Sequence, residues 1–375
     1  WFLATVNTTV APVRAPAGFA ASSGSNTSAS TSSFGTVATS PVIVGLVTAQ
    51  PGERVEATVY PAIPTAARLY LQTVVDSLDQ RRGDLVFSSK PSDVDSPLSW
   101  VRLVGQQSLV KPGNPESGPG LNTNTYALQI GLDSLRLRTS LGAQTYAGPF
   151  VTFGQTSGRT YDATGSIRTG TTALQGYSMG LALTHFEPNG LYVDTILQGT
   201  RFAGAYANSV VDTSINSTGW GVTGSVEAGF AIPLSERLAL TPQAQLRYNS
   251  TRFNGAEDAY SQIVMPDDTS LVGRIGLKLT YASAEKENVE TKAWVRVSGL
   301  TMLAGQSVQT VMQGTDGRFP TNVDSQAGTS WMAMDGGVNV GISKNSQLYL
   351  NVGYSTSLSP SYQGVYGRIG VQVLF

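Results

Sequence analysis

From Ser99 to Phe375 the chain alternates apolar and polar residues with a period of two, and this pattern narrows the possible folds more than any other feature. Tyr126, Leu128, Ile130 and Leu132 alternate with Ala127, Gln129, Gly131 and Asp133, and Ile275, Leu277, Leu279 and Tyr281 alternate with Arg274, Gly276, Lys278 and Thr280. Leu238, Leu240, Ala244 and Leu246 against Thr241, Gln243, Gln245 and Arg247, and Leu348, Leu350, Val352 and Tyr354 against Gln347, Tyr349, Asn351 and Gly353, repeat it. Twelve such segments fall near residues 98–107, 123–134, 146–157, 175–187, 190–203, 219–232, 236–250, 269–282, 289–302, 330–343, 345–356 and 363–375. Several exceed the ~5–6 residues of a globular strand and reach the ~9–11 of a tilted membrane strand.

A soluble sandwich alternates as well, so the connections decide. Glu187–Gly190, Pro233–Arg237 and Ser343–Ser346 read as tight turns, whereas Gly105–Asn122, Gly204–Thr218, Thr251–Asp268 and Ala304–Thr329 read as long polar loops. Short turns at one rim, long loops at the other and an even strand count describe a bacterial outer-membrane barrel. In lipid such a sheet must close, with apolar residues outside and polar residues in the lumen. The expected fold is therefore all-β, a 12-stranded antiparallel transmembrane β-barrel. Its register turns Arg102, Asp133, Asp194, Glu227, Arg247, Arg274, Lys278, Arg296 and Arg368 inward. Tyr126, Tyr177, Trp220, Phe230, Tyr248, Tyr281, Tyr354 and Phe375 are expected near strand ends, in aromatic girdles.

Upstream, residues 61–82 read as one helix. Pro61 and Pro64 suit its start, Arg81 and Arg82 suit its C-terminal dipole, and Gly83 can supply a left-handed cap. Residues 1–50 are rich in small and polar types and read as a flexible linker after the end of a preceding β domain. The expected division is 1–50, 51–97 with the helix, and 98–375 as the barrel. The opening Trp1-Phe2-Leu3, with no basic leader, suggests a piece of a longer precursor.

Composition excludes other classes. Only 13% of residues are charged and the net charge is -1, which leaves no cationic surplus for nucleic acid. With no Cys and one His, thiolate zinc sites, Cys nucleophiles and multi-His metal centres are out of reach, and neither metal nor cofactor is expected. The acidic pair Asp267-Asp268 reads as a solvated loop rather than a calcium site.

The order of motifs resembles the translocator unit of a classical autotransporter, the type V secretion family. The matching stretches include Val59-Tyr60-Pro61-Ala62-Ile63-Pro64, Gln175-Gly176-Tyr177-Ser178, Asn189-Gly190-Leu191-Tyr192-Val193-Asp194 and Leu240-Thr241-Pro242-Gln243-Ala244-Gln245-Leu246. They span roughly residues 52–375. The resemblance implies that the N-terminal α-helix lies inside the pore and joins an external passenger to the first strand. Asp76, Asp79, Arg81 and Arg82 would then meet the lumenal charges, with Arg81 and Arg82 pairing to Asp133, Asp194 or Glu227.

The terminal strand, with Tyr366, Ile369, Val371, Val373 and Phe375, is similar to the signal read by the barrel-assembly machinery. That machinery, periplasmic chaperones, outer-membrane lipid and the chain's own passenger are the partners implied, for a monomer in the bacterial outer membrane that displays its passenger at the cell surface. Some members cleave themselves between two Asn of the pore helix, where this chain has Asp76-Ser77. Others use lumenal acids, which leaves Asp133, Asp194 and Glu227 as candidates for a self-cleaving role, set against acids that only pair with lumenal cations. Two different classes stand as alternatives. A diffusion porin leaves the linker and helix unexplained, and an outer-membrane hydrolase would need His185, which falls beside a short turn.

Overall fold

The computed structural model describes residues 55–83, 97–112, 118–283, 291–318, 320–325, 328–343, 345–357 and 362–374. The expected linker at 1–50 and Phe375 lie outside these residues.

Twelve long strands form the wall: β1 (Leu98–Val110), β2 (Gly120–Asp133), β3 (Gln144–Tyr161), β4 (Arg168–Phe186), β5 (Leu191–Ser209), β6 (Ser214–Phe230), β7 (Leu238–Phe253), β8 (Asp268–Ala282), β9 (Thr291–Ala304), β10 (Ser330–Ser343), β11 (Ser346–Ser357) and β12 (Tyr362–Leu374). Each is antiparallel to its neighbours, and the sheet closes where β1 pairs with β12 from Leu98↔Leu374 to Val110↔Tyr362. Closure leaves no edge, the condition a sheet must meet in lipid.

Burial follows the sequence alternation. Met179 and Ile275 are 71% and 72% exposed on the outward face, while the charged residues expected to point inward are all buried. The aromatics split into two groups. Phe230 and Tyr281 lie at strand ends on the short-turn rim, but Tyr126, Tyr177, Trp220, Tyr248 and Tyr354 are exposed well inside their strands. The strands continue beyond the apolar band on the long-loop side: β4, for example, begins at Arg168, far outside Tyr177.

The long connections are also more ordered than the polarity of their sequence suggests. Gly204–Thr218 is mostly strand, with β5 running to Ser209 and β6 resuming at Ser214 across a turn whose Asp212 has φ 58°. Thr251–Asp268 and Ala304–Thr329 together build a second, four-stranded sheet from Ala256–Glu257, Ser261–Val264, Val308–Gly314 and Thr321–Ser325. Its buried face, with Ile263, Met312 and Val323, joins one apolar cluster with Ala57, Val59 and Tyr60 at the start of the lumenal segment. Short runs such as Val308, Thr310 and Met312 carry the period-two signal, but they are too brief to stand out among polar neighbours.

The single expected helix is two helices, α1 (Ala62–Val74) and α2 (Leu78–Arg82), preceded by a 3-10 turn at Val55–Thr58. Val75 leaves the helical region at φ -108° and ψ 95°, and Ser77 starts again, its N–H and hydroxyl both donating to Gln80 Oε1 at 3.4 and 3.0 Å. A Ser followed three residues later by Gln is a capping box, which explains why the chain restarts there. Gly83 ends α2 at φ 64°, where its N–H donates to the Asp79 carbonyl at 2.8 Å.

Ile275→Arg, on the lipid face of β8, is expected to lower barrel stability by about 2–4 kcal/mol if the residue lies near the bilayer midplane. Reversible denaturant unfolding in lipid vesicles measures this.

Candidate functional site

The lumen is filled by residues 55–83, which run from the long-loop rim to the short-turn rim. At the first rim the Tyr60 hydroxyl donates to Asp258 in the external sheet. At the second, α2 lies beside Asp133, which pairs with Leu98 at the start of β1.

Shape fixes the upper half. Gly154 and Gly176 face each other on β3 and β4, and the Tyr70 ring occupies the hollow they leave. A Cβ on either would lie 2.8 or 2.7 Å from that ring, so only glycine admits it. The Tyr70 hydroxyl donates to the Gly176 carbonyl at 3.1 Å, and Phe202 meets the ring edge-on with centroids 5.9 Å apart. Arg68 pairs with Asp268, donating from Nε to Oδ2 at 3.0 Å, and also donates to the Gly305 carbonyl at 2.7 Å. Asp268, weighed above as a cation ligand, is thus occupied by a guanidinium.

Charge fixes the lower half, and the break between α1 and α2 is its centre. Asp76 accepts from Arg102 of β1 at 2.9 Å and from both Nε and Nη2 of Arg368 of β12, at 2.9 and 2.6 Å. Asp79 accepts from Lys278 at 2.7 Å and from Gln243 at 2.9 Å, with Arg296 at 3.6 Å. Arg81 pairs with Asp194 and Arg82 with Asp133. Glu227, the third acid considered for those arginines, is used differently: it accepts from the Leu78 N–H at 3.3 Å and the Tyr192 hydroxyl at 2.7 Å, beside Arg274 at 3.0 Å.

A helix end leaves its last carbonyls without intrahelical donors, and burying them unpaired is costly. Two ends are buried here, and the wall supplies the donors. Arg102 reaches the Val74 carbonyl at 3.0 Å and the Gln80 carbonyl at 2.9 Å, and Arg247 reaches those of Gln72 and Val75 at 3.1 and 2.8 Å. Tyr349 donates to the Arg81 carbonyl at 2.6 Å, and Gln372 donates to that of Arg82.

Several contributors were not singled out from sequence. Asp335 lies opposite Arg296 in the β9–β10 register and accepts from it at 2.6 Å, so inward parity alone could have found it. Tyr366 differs from its sequence grouping. Ile369 faces outward at 45% exposure and shares its parity with Val371 and Val373, but Tyr366 has the opposite parity and donates into the lumen to Asp335 at 3.4 Å.

The lumenal acids singled out from sequence are all engaged by cations. Both Asp76 oxygens are committed to guanidiniums, and Asp133, Asp194 and Glu227 each have a cationic partner. His185 sits between Thr145 at 2.8 Å and Glu187 at 2.9 Å at the short-turn end of β4, on the strand face that carries Met179, Leu181 and Leu183 outward.

Known proteins share this fold. The Autotransporter beta-domain family profile matches residues 99–353. The Adhesin BmaC autotransporter of Brucella suis biovar 1 (strain 1330) is 26% identical over 216 residues, covering 54% of this chain and 6% of that protein. This chain thus spans only a small part of its relative's length. The transport unit of the autotransporter AIDA-I from Escherichia coli superposes with a TM-score of 0.67 at 15% identity, over 86% of this chain and 100% of that one. The translocator domain of NalP from Neisseria meningitidis gives 0.58 at 13% identity, over 84% and 97% of the two chains. Closed barrel and family match agree: the chain belongs to the autotransporter family, as an outer-membrane β-domain.

Proposed function

We propose that this chain exports the polypeptide joined to its N-terminal side and then stays in the outer membrane as its anchor, with residues 55–83 sealing the pore. The observation that carries this reading is the threaded segment itself, held by shape near one rim and by buried ion pairs near the other. A diffusion channel gains nothing from two helices bonded across its lumen.

The finer parts of the proposal concern assembly and release. The barrel-assembly machinery and periplasmic chaperones would deliver the chain, reading the outward row Ile369, Val371 and Val373 that leads to Phe375. It would work as a monomer, with lipid around its apolar belt. The passenger would stay attached through the helix, because Asp76 is held by two arginines and has no free carboxylate oxygen for attack on the next peptide.

Two measurements test this. With a signal peptide and an N-terminal epitope tag added, protease applied to intact cells is expected to remove the tag while the extracted barrel still shifts its gel mobility on boiling. A protected tag above a folded barrel overturns the exporter reading, and loss of the tag without protease overturns retention. Asp76→Ala strands Arg102 and Arg368 beside a missing carboxylate, a change that costs about 3–5 kcal/mol when a buried pair is broken from one side. Planar-bilayer recordings are expected to show higher conductance than the quiet parent, and equal conductance counts against the seal.

A further inference from the structure

The charges around the plug do not balance. Setting aside the Arg68–Asp268 pair near the external mouth, the lumen buries eight Arg and Lys side chains against six carboxylates among the described residues. The surplus has a location. Arg102 and Arg368 share the single carboxylate of Asp76, and Arg247 spends its described hydrogen bonds on the carbonyls of Gln72 and Val75, with no ion-pair contact among the described residues and only the longer-range attraction of the already shared Asp76.

Arg247 and Arg368 meet at one cavity of about 80 Å³ between plug and wall, bordered by four guanidiniums, with Arg274 and Arg296 beside them, against two carboxylates, Asp76 and Asp335. Two guanidinium donors of this pair, Arg247 Nε and Arg368 Nη1, are buried and have no hydrogen-bond acceptor among the described residues. A buried donor without an acceptor costs about 1–3 kcal/mol, and more when it is charged. The space is several times the ~10–15 Å³ that one water needs. The local cationic surplus selects an anion, and the volume limits it to a small one.

We propose that this cavity binds one small inorganic anion of the halide class, chloride in ordinary buffers, held by Arg247 and Arg368. The anion accepts from the two guanidiniums and neutralises part of the surplus where α1 breaks from α2. It stabilises the plugged state by mass action, since the site exists only when residues 72–80 are seated against the wall. The inference does not depend on export, and its readouts are physical rather than cellular.

The test uses the full chain, folded in non-ionic detergent. Its thermal midpoint, read as loss of heat-modifiable mobility, is followed while sodium chloride or bromide replaces sodium gluconate at constant ionic strength. A saturable rise of about 2–4 °C is expected, the range of one modest site. Arg247→Gln, which keeps an amide donor for the two carbonyls but loses the charge, is expected to abolish the rise, and Arg247→Lys to retain part of it. Bromide-soaked crystals of the unaltered chain give a second readout that needs no variant, with an anomalous peak expected between Arg247 and Arg368. Water alone at that position, or stability that follows ionic strength and ignores the identity of the anion, overturns the proposal.

Discussion

Two guanidiniums meeting on one carboxylate, Arg102 and Arg368 on Asp76, set the conditions for the rest of the molecule. Arg102 belongs to the first wall strand and Arg368 to the last, and those strands are hydrogen-bonded to each other. The same contact that seats the plug therefore straddles the seam at which the barrel closes. Charges taken out of water repay their desolvation only with good geometry and several hydrogen bonds. Asp76 receives three, and Arg102 also serves two carbonyls of the interrupted helix, so the ion pair and the helix break support one another.

The wall thus has two distinct jobs on its two faces. Outside, apolar side chains meet lipid and only the closed ladder satisfies the backbone. Inside, the wall must be polar enough to hold a helix and shaped to fit its side chains. Glycine pairs such as Gly154 and Gly176 make room for one aromatic ring, and arginines reach across the remaining space. The plug is anchored by shape near the mouth and by charge near the base, and each device works where the other is weak.

Much of this was legible in the residues. Period-two alternation marked all twelve strands and most of the inward charges, Asp335 excepted, because burial on one face and lipid on the other leave a regular mark on every strand. The interrupted helix was less visible, although Ser77 and Gln80 already spell a helix start. Apolar spacing runs on through Val74, Val75 and Leu78 and hides the break. Pairing between distant charges could not be read: Arg81 and Arg82 had three candidate acids, and only the strand register sends them to Asp194 and Asp133. The outer sheet was missed because its two halves are short and lie far apart along the chain, so neither carries a recognisable pattern alone.

That outer sheet has an entropic consequence. Its central pairing joins Ser261–Val264 to Val308–Gly314, two segments separated in the chain by the whole of β8 and β9. Neither half can complete it unaided. The sheet at the mouth therefore draws together segments on either side of the β8–β9 hairpin, and its pairing and that of the hairpin share one loop closure. With β8 and β9 paired in the wall, the two outer halves are already held side by side, so the outer sheet forms at little further entropic cost.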